Sequence, residues 1–128
     1  MTALNANFDA IGRAFVEQYY QLFDNPTLRP NLAKFYDENA SLMTFEGVQI
    51  MGAQKIMEKL NSLTFRKIAH VVTLVDCQPT FDGGVLVAVF GQLKTDDDPP
   101  HTFTQIFGLK PLETNFFVAH DVFRLHLA

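Results

Sequence analysis

The second half of the chain constrains the fold most strongly, because four long β-prone segments follow one another with only short connections. They cover residues 67–76, 85–94, 102–110 and 116–127, and Asp82-Gly83-Gly84 makes the turn between the first two. Strands joined by such short connections pair antiparallel. The sequence therefore predicts an antiparallel meander that occupies the second half of the chain.

The first half is predicted to be mainly helical. Residues 4–23 form an amphipathic helix, since apolar residues recur at a spacing of three and four, and Asp24-Asn25-Pro26 ends it. A shorter helix covers 27–36 and a third covers 53–60. Between them, Glu46-Gly47 joins strands 40–45 and 48–51 as a hairpin. Helices first and a meander afterwards predict the α+β class. The apolar stripe of the first helix comprises Phe8, Ile11, Phe15, Tyr19 and Leu22.

Both faces of the predicted sheet carry apolar side chains. Residues 85–90 are apolar without interruption, so neither face of that strand is suited to water. In 116–127 one face carries Asp121 among Phe117, Ala119, Phe123, Leu125 and Leu127. The helices can cover one face of the sheet. A second copy of the chain is the simplest cover for the other, so we expect a homodimer.

Length and composition exclude several classes of protein. The chain has 128 residues, which suits a single domain covering 1–128. Its net charge of −4 disfavours nucleic acid as a partner. No apolar run approaches the roughly 18 residues of a membrane span, and no signal-peptide layout begins the chain. The single cysteine, Cys77, allows no intrachain disulfide, which favours a cytosolic or nuclear protein.

No pattern of residues indicates catalysis, a metal or a cofactor. The chain lacks a nucleophile elbow, a phosphate-binding glycine loop and a His-Glu-x-x-His motif. The four histidines are scattered, and structural roles explain them best. His120 and Asp121 are neighbours on a predicted strand, so they point to opposite faces and cannot form a dyad. The motifs therefore give no positive sign of an enzyme.

Two acidic positions stand out as candidates for an interface. Asp96-Asp97-Asp98 follows a predicted strand and precedes two prolines, and Glu46 follows Phe45 at the hairpin turn. Both are compatible with solvated turns, which also protect sheet edges. Alternatively, they form an acidic patch that receives Lys or Arg from a partner, beside an aromatic anchor.

Taken together, the segments resemble the nuclear transport factor 2 family over nearly the whole chain. The matching pieces occur in the family's order and spacing. They are 15–24 (FVEQYYQLFD), 42–47 (LMTFEG), 58–67 (EKLNSLTFRK), 91–99 (GQLKTDDDP) and 120–125 (HDVFRL).

The resemblance implies both a fold and a function. The fold is a cone in which a strongly bent antiparallel sheet wraps around a long N-terminal helix, with two shorter helices, and the protein is a homodimer formed through the sheet. The function is transport without chemistry. The dimer binds the small GTPase Ran in its GDP form and the Phe-x-Phe-Gly repeats of nuclear pore proteins. It carries the GTPase from the cytoplasm into the nucleus and is enriched at the nuclear pore.

The resemblance also implies site residues. Glu46, Asp96 and Asp98 match the acids that meet basic residues of the GTPase. Phe45, Leu63, Val122 and Phe123 match the rim and lining of a hydrophobic cavity that receives an aromatic side chain of the same partner. Phe8 matches an aromatic residue of the surface that binds pore repeats. No cofactor or metal is implied.

Two other functions remain compatible with this fold, because one fold hosts many functions. One is a small-molecule isomerase or dehydratase, for which Tyr19, Tyr20 and His70 are the candidate residues. The other is a generic peptide-binding module.

Overall fold

The computed structural model describes residues 4–126, and its elements follow the predicted order. The helices are α1 (Phe8–Asp24), a 3-10 helix (Arg29–Phe35) and α2 (Ala53–Asn61). The strands are β1 (Leu42–Phe45), β2 (Val48–Met51), β3 (Ile68–Pro79), β4 (Val85–Thr95), β5 (His101–Leu112) and β6 (Asn115–Leu125). The α+β class is confirmed. The predicted end of the last strand, Leu127, lies outside the described residues.

The two N-terminal helical segments differ from the prediction for local reasons. α1 begins at Phe8 because the Asn5 side chain accepts the Asn7 N–H at 2.9 Å, which holds the preceding residues in a turn. The segment predicted as helix 27–36 is a 3-10 helix with Pro30 in its first turn. Such tight helices are used in short pieces. It buries Leu32 completely against the core.

The buried face of α1 is rotated slightly from the predicted stripe. Phe15 and Leu22 are only partly buried, whereas Val16, Tyr20 and Phe23 are almost fully buried beside Tyr19. The helix packs against β3 and β4, and a curved sheet covers more than one row of its side chains. Gly12 faces this contact, because a Cβ there would meet Cys77 Sγ. The sequence pattern predicted where the helix lies, and tertiary packing decided which row of its side chains is buried most deeply.

One curved six-stranded sheet contains all the strands, in the order β2-β1-β6-β5-β4-β3. The predicted antiparallel meander of β3 to β6 is confirmed. The hairpin of β1 and β2 joins it through a parallel pairing of β1 with β6, which places Phe45 beside Phe123. The sheet is therefore antiparallel except at this one pair. Parallel pairing here is possible because most of the chain separates the two strands.

A β-bulge in β6 reverses the predicted alternation of its faces. Gly108 pairs with His120 and Leu109 pairs with Val118, so Ala119 has no partner in β5. The extra residue shifts the side chains that follow to the other face. Val118 is therefore buried on the same side as Asp121, each with only 1% exposed. Strict alternation along residues 116–127, which groups Asp121 with Phe117 and Ala119, places Val118 on the opposite face, and that placement is wrong.

The two faces of the sheet have different environments. The concave face holds the core against α1, the 3-10 helix and α2. The other face, which we call the outer face, leaves apolar side chains of four neighbouring strands exposed, among which Leu74 pairs with Phe90 and Ile106 with Val122. They are Leu74 (60% exposed), Leu86 (42%), Phe90 (38%), Ile106 (36%) and Val122 (39%). The prediction of apolar residues on both faces is confirmed.

Candidate functional site

A largely apolar cavity opens between one end of the sheet and the helices. Its volume is about 210 Å³. Its floor is formed by fully buried residues such as Tyr19, Met43 and Leu60, and partly exposed residues form its rim. The remaining lining residues are Phe23, Phe45, Leu63, Phe65, Ile68, His70, Leu93, Thr95, Gln105, Phe123 and Leu125. An apolar cavity of about 150 Å³ accepts a benzene ring, so this one has room for one aromatic side chain.

Two phenylalanines form one wall of the cavity. Phe45 and Phe123 are paired across the parallel β1–β6 contact. Their rings stack with centroids 4.9 Å apart and planes 18° from parallel. The Phe45 ring therefore points into the cavity and not into solvent, although the residue remains partly exposed. Lys59 Nζ lies 5.2 Å from the centre of this ring.

The structure brings together three of the four residues predicted to form the cavity. Leu63, just after α2, lines the cavity together with Phe45 and Phe123. Val122 does not line the cavity. It precedes the inward-pointing Phe123 on β6, so its side chain points to the outer face, where it is 39% exposed. The structure therefore places Val122 on the outer face and not among the residues that line the cavity.

Glu46 is held rigidly at the cavity rim. It follows Phe45 in a tight turn, where Glu46 and Gly47 have φ angles of 51° and 86°. These values are typical of a type I′ hairpin, which confirms the predicted turn. The Glu46 N–H donates to the Phe123 carbonyl at 3.1 Å, and its carboxylate accepts the Leu125 N–H at 2.5 Å. The position of this carboxylate is thus fixed by β6.

Asp96 and Asp98 follow Thr95, a lining residue at the end of β4, which is three strands away from β1 in the sheet and so lies across the cavity from Glu46. Asp96 has a φ of 47°, and its carboxylate accepts the backbone N–H groups of Arg66 and Lys67 at 2.9–3.3 Å. Asp98 is exposed, and its N–H donates to the Thr95 carbonyl at 2.9 Å. Asp96 therefore braces the segment before β3, and both acids still present negative charge to solvent.

Phe8 lies apart from these residues. It is the first residue of α1 and packs partly against the core. Tyr19, which lines the cavity, is eleven residues further along α1. At 1.5 Å per residue, the two positions are about 16 Å apart along the helix axis. The structure thus separates Phe8 from the cavity.

A buried polar network lies behind the cavity, and sequence reasoning missed it. Asp121 accepts hydrogen bonds from Tyr36 Oη and Gln105 Nε2, both at 2.8 Å. Tyr36 Oη lies 2.8 Å from Tyr19 Oη, and Tyr20 Oη donates to Gln105 Oε1 at 2.6 Å. The one sign of this network in the sequence was Asp121, a carboxylate among the apolar residues of a predicted strand. The network closes only because β6 adjoins β5 and Tyr36 bridges to Val118.

Burial controls the protonation of this network. It raises the pKa of Asp121 from 3.8 to about 6, although hydrogen bonds from Gln105 and Tyr36 act in the opposite direction. Burial likewise raises the pKa values of Tyr19 and Tyr36 well above their ordinary 10. These hydroxyls therefore stay protonated at neutral pH and serve as hydrogen-bond donors.

His70 and Asp24 form a second polar pair at the cavity. The Asp24 carboxylate accepts the His70 backbone N–H at 2.9 Å and contacts ring Nδ1 at 2.6 Å. The His70 side chain is only 3% exposed and lies against Tyr20, Phe23 and Phe103. Of the candidates for an enzyme, His70 and Tyr19 line the cavity and Tyr20 does not.

Within residues 4–126, no cluster of three or more His, Cys, Asp or Glu side chains is arranged to hold a metal ion. In the same residues, no helix has the length and apolar character needed to cross a lipid bilayer.

Comparison with known proteins supports the resemblance seen in the sequence. The family model of the nuclear transport factor 2 domain matches residues 11–125. The chain is 48% identical to nuclear transport factor 2 of Oryza sativa subsp. japonica, over 92% of this chain and 96% of the relative. It is 44% identical to nuclear transport factor 2 of Neurospora crassa, over 97% and 99% respectively.

The fold is similar to that of a solved relative as well. The structure of nuclear transport factor 2 from Cryptosporidium parvum superimposes with a TM-score of 0.92 and 39% sequence identity. The match covers 98% of this chain and all of the other. The expected cone-shaped fold is thereby confirmed.

Proposed function

The chain belongs to the nuclear transport factor 2 family, and on that premise we propose that it is a nuclear transport carrier for the small GTPase Ran in its GDP form. The observation that carries the proposal is the cavity of about 210 Å³ with acidic residues adjoining its rim on both sides. This arrangement suits a partner that offers one aromatic side chain flanked by basic residues. The proposed contacts are Phe45, Glu46, Leu63, Asp96, Asp98 and Phe123.

The cavity supplies affinity through burial of the partner's aromatic ring. Stacked Phe45 and Phe123 form a preformed aromatic wall, so the incoming ring meets a surface already in place. Burial of a side chain of this size contributes about 1.5–3 kcal/mol. Offset-stacked and edge-to-face contacts with neighbouring rings add to this.

The acids supply orientation and selectivity. Glu46 is held by the Leu125 N–H and Asp96 by two backbone N–H groups, so neither carboxylate has to be ordered on binding. Charges at an interface fix the register of the partner and accelerate association. We propose that a segment of the GTPase changes conformation with the nucleotide and presents its aromatic side chain only in the GDP state. Binding to the cavity then depends on the nucleotide.

We also propose that the carrier is a homodimer that binds Phe-x-Phe-Gly repeats of nuclear pore proteins. The exposed apolar side chains of the outer face support a dimer formed through the sheet, because water-exposed patches of this kind usually mark an interface. Phe8 is the proposed repeat contact, and its distance from the cavity allows both partners to bind together. Such a carrier would occur in the cytoplasm and the nucleus, enriched at nuclear pores.

The carrier is better supported than the enzyme alternative. The Tyr19 and Tyr20 hydroxyls and the Asp121 carboxylate are committed to hydrogen bonds within the buried network. Asp121 is not among the residues that line the cavity. Of the three enzyme candidates, His70 alone lines the cavity with a ring nitrogen that bonds to no other described residue. A generic peptide-binding module would share the apolar cavity, but it gives no reason for acids on both sides of the rim.

A pull-down with Ran loaded with GDP or GTP tests the proposal. We expect retention of the GDP form alone, and we expect Glu46→Lys to weaken it at least about tenfold, because a like charge then faces the partner's basic residue. Glu113→Lys is the matched control. It makes the same change at another positive-φ residue, with φ of 56°, in the turn at the opposite end of β6. The assignment would be refuted if neither form of the GTPase is retained, or if Glu46→Lys and Glu113→Lys lose binding of the GDP form equally.

A further inference from the structure

The cavity contains one polar atom that the fold leaves without a partner. Of the polar side chains in its deep lining, Tyr19 Oη is bonded to Tyr36, and the Gln105 amide is bonded to Tyr20 and Asp121. His70 bonds to Asp24 through Nδ1. Among residues 4–126, Nε2 of the same ring has no hydrogen-bond partner, and unlike Arg29 Nη2 it is not completely enclosed, so water can reach it although the side chain is only 3% exposed.

The ring lies between the cavity and a shallow outer groove, and its orientation follows from Asp24. His70 lines both spaces, whereas Asp24 lines the groove and not the cavity. The Nδ1 edge therefore faces the groove, and the Nε2 edge borders the cavity. Asp24 also binds the His70 backbone N–H at 2.9 Å, so main chain and ring are held together in this orientation.

Asp24 also selects which ring nitrogen carries the proton. A carboxylate accepts hydrogen bonds, so the neutral imidazole places its proton on Nδ1 and keeps Nε2 as an acceptor. An acceptor that loses its water when a ligand binds, and gains no partner in exchange, costs free energy. An aromatic ring without a hydroxyl group would fill the cavity and leave this acceptor unpaired, whereas a ring with a hydroxyl group would satisfy it.

We infer that the cavity is a binding site for a hydroxylated aromatic ring, whose O–H donates to His70 Nε2. The volume of about 210 Å³ accommodates one ring with one or two substituents, and stacked Phe45 and Phe123 provide the aromatic wall. This site extends beyond the carrier function, because a bound phenol would occupy the space proposed for the GTPase side chain and thus compete with it. The chemistry is shared by a free phenol and by a tyrosine side chain.

The test compares two ligands of equal shape, p-cresol and p-xylene, which differ by O–H in place of a methyl group. Binding to the full chain is followed through the NMR signal of the Met43 methyl group, which lies in the cavity floor. We expect p-cresol to bind about tenfold more tightly, which corresponds to one hydrogen bond and one relieved acceptor. Equal affinities, or no shift of the Met43 signal with either ligand, would overturn the inference.

His70→Phe keeps a ring in place and removes Nε2, so it should bind both ligands equally. His101→Phe is the matched control at an exposed histidine outside the cavity lining, and it should keep the preference. If the preference for p-cresol persists in His70→Phe, the inference is wrong. N-acetyltyrosine amide identifies the source of the ring: binding comparable to p-cresol indicates a tyrosine side chain, and binding of p-cresol alone indicates a free phenol. No GTPase is present, so this result and that of the pull-down are independent.

Discussion

Asp121 is the group whose charge should most affect the stability of this protein. Its carboxyl is 1% exposed and has no cationic partner in the described part of the chain. Its pKa is raised from 3.8 to about 6. One pKa unit corresponds to 1.36 kcal/mol, so a rise of about two units makes the folded state about 3 kcal/mol less stable with this group ionised.

The sign of the pH dependence follows from proton binding. Between about pH 4 and pH 6, Asp121 is protonated in the folded chain and ionised in the unfolded chain. Stability therefore falls as the pH rises, because the folded state binds the extra proton. The stabilisation that proton binding by Asp121 gives the folded state is fully present below about pH 4 and is lost above about pH 6.

Asp121→Asn should remove the free-energy cost of burying an ionised carboxylate at this position. The amide has the same shape and no charge, and it can accept from Gln105 and donate to Tyr36. We expect the free energy of unfolding to rise by up to about 3 kcal/mol at pH 7.5 and to change little at pH 4. Urea unfolding of both proteins at a fixed concentration, at several pH values from 4 to 7.5, measures the difference. Asp97→Asn, an exposed residue, is the control and should change neither value.

The comparison isolates Asp121, because every other titratable group is shared by the two proteins. A difference that is constant from pH 4 to pH 7.5 would refute the reasoning. So would an Asn variant that is less stable than the parent at pH 7.5, since its hydrogen bonds would then outweigh the cost of the buried charge.

Three further predictions concern the proposed sites and the packing of α1. Asp96→Asn should weaken binding of the GTPase and reduce its salt dependence, measured as affinity against ionic strength; an unaltered salt slope would mean that Asp96 only braces its turn. Phe8→Ala should weaken binding to Phe-x-Phe-Gly peptides and spare the GTPase; a circular dichroism spectrum like that of the parent must accompany this, and loss of both partners would contradict it. Gly12→Ala should lower the free energy of unfolding by about 1–3 kcal/mol, despite the better helix propensity of Ala, because its Cβ overlaps Cys77 Sγ. Adding Cys77→Ala should restore most of that loss, and no restoration would show that the overlap is not the cause.

Local sequence determined the secondary structure and part of the site. The residues before Pro26 end α1 because the residue ahead of proline avoids the helical conformation. Gly47 favours the turn because glycine adopts a positive φ without steric cost, and Glu46 adopts a φ of 51° beside it. That turn places Glu46 directly beside Phe45, so the pairing of an acid with an aromatic residue at the cavity rim was already visible in the sequence. These features depend on neighbours within a few residues.

Tertiary structure alone decided the inward and outward assignment along β6. The bulge at Ala119 is a matter of register between two strands, and it moved Val118 to the side of Asp121. The same register sends Val122 outward and Phe123 into the cavity. A period-2 pattern cannot reveal an inserted residue, because the pattern on either side of the bulge remains regular.

The polar pairs behind and beside the cavity were equally out of reach for the sequence. His70 and Asp24 are 46 residues apart, and Tyr36 and Asp121 are 85 apart. The parallel contact of β1 with β6 likewise joins Phe45 to Phe123.

The sequence by itself determined which segments are helical or extended and where the chain turns, since those preferences come from backbone sterics and local hydrogen bonds. Only the folded chain decided which buried polar groups meet, because a buried group takes its partner from whatever the packing of distant elements brings within hydrogen-bonding distance.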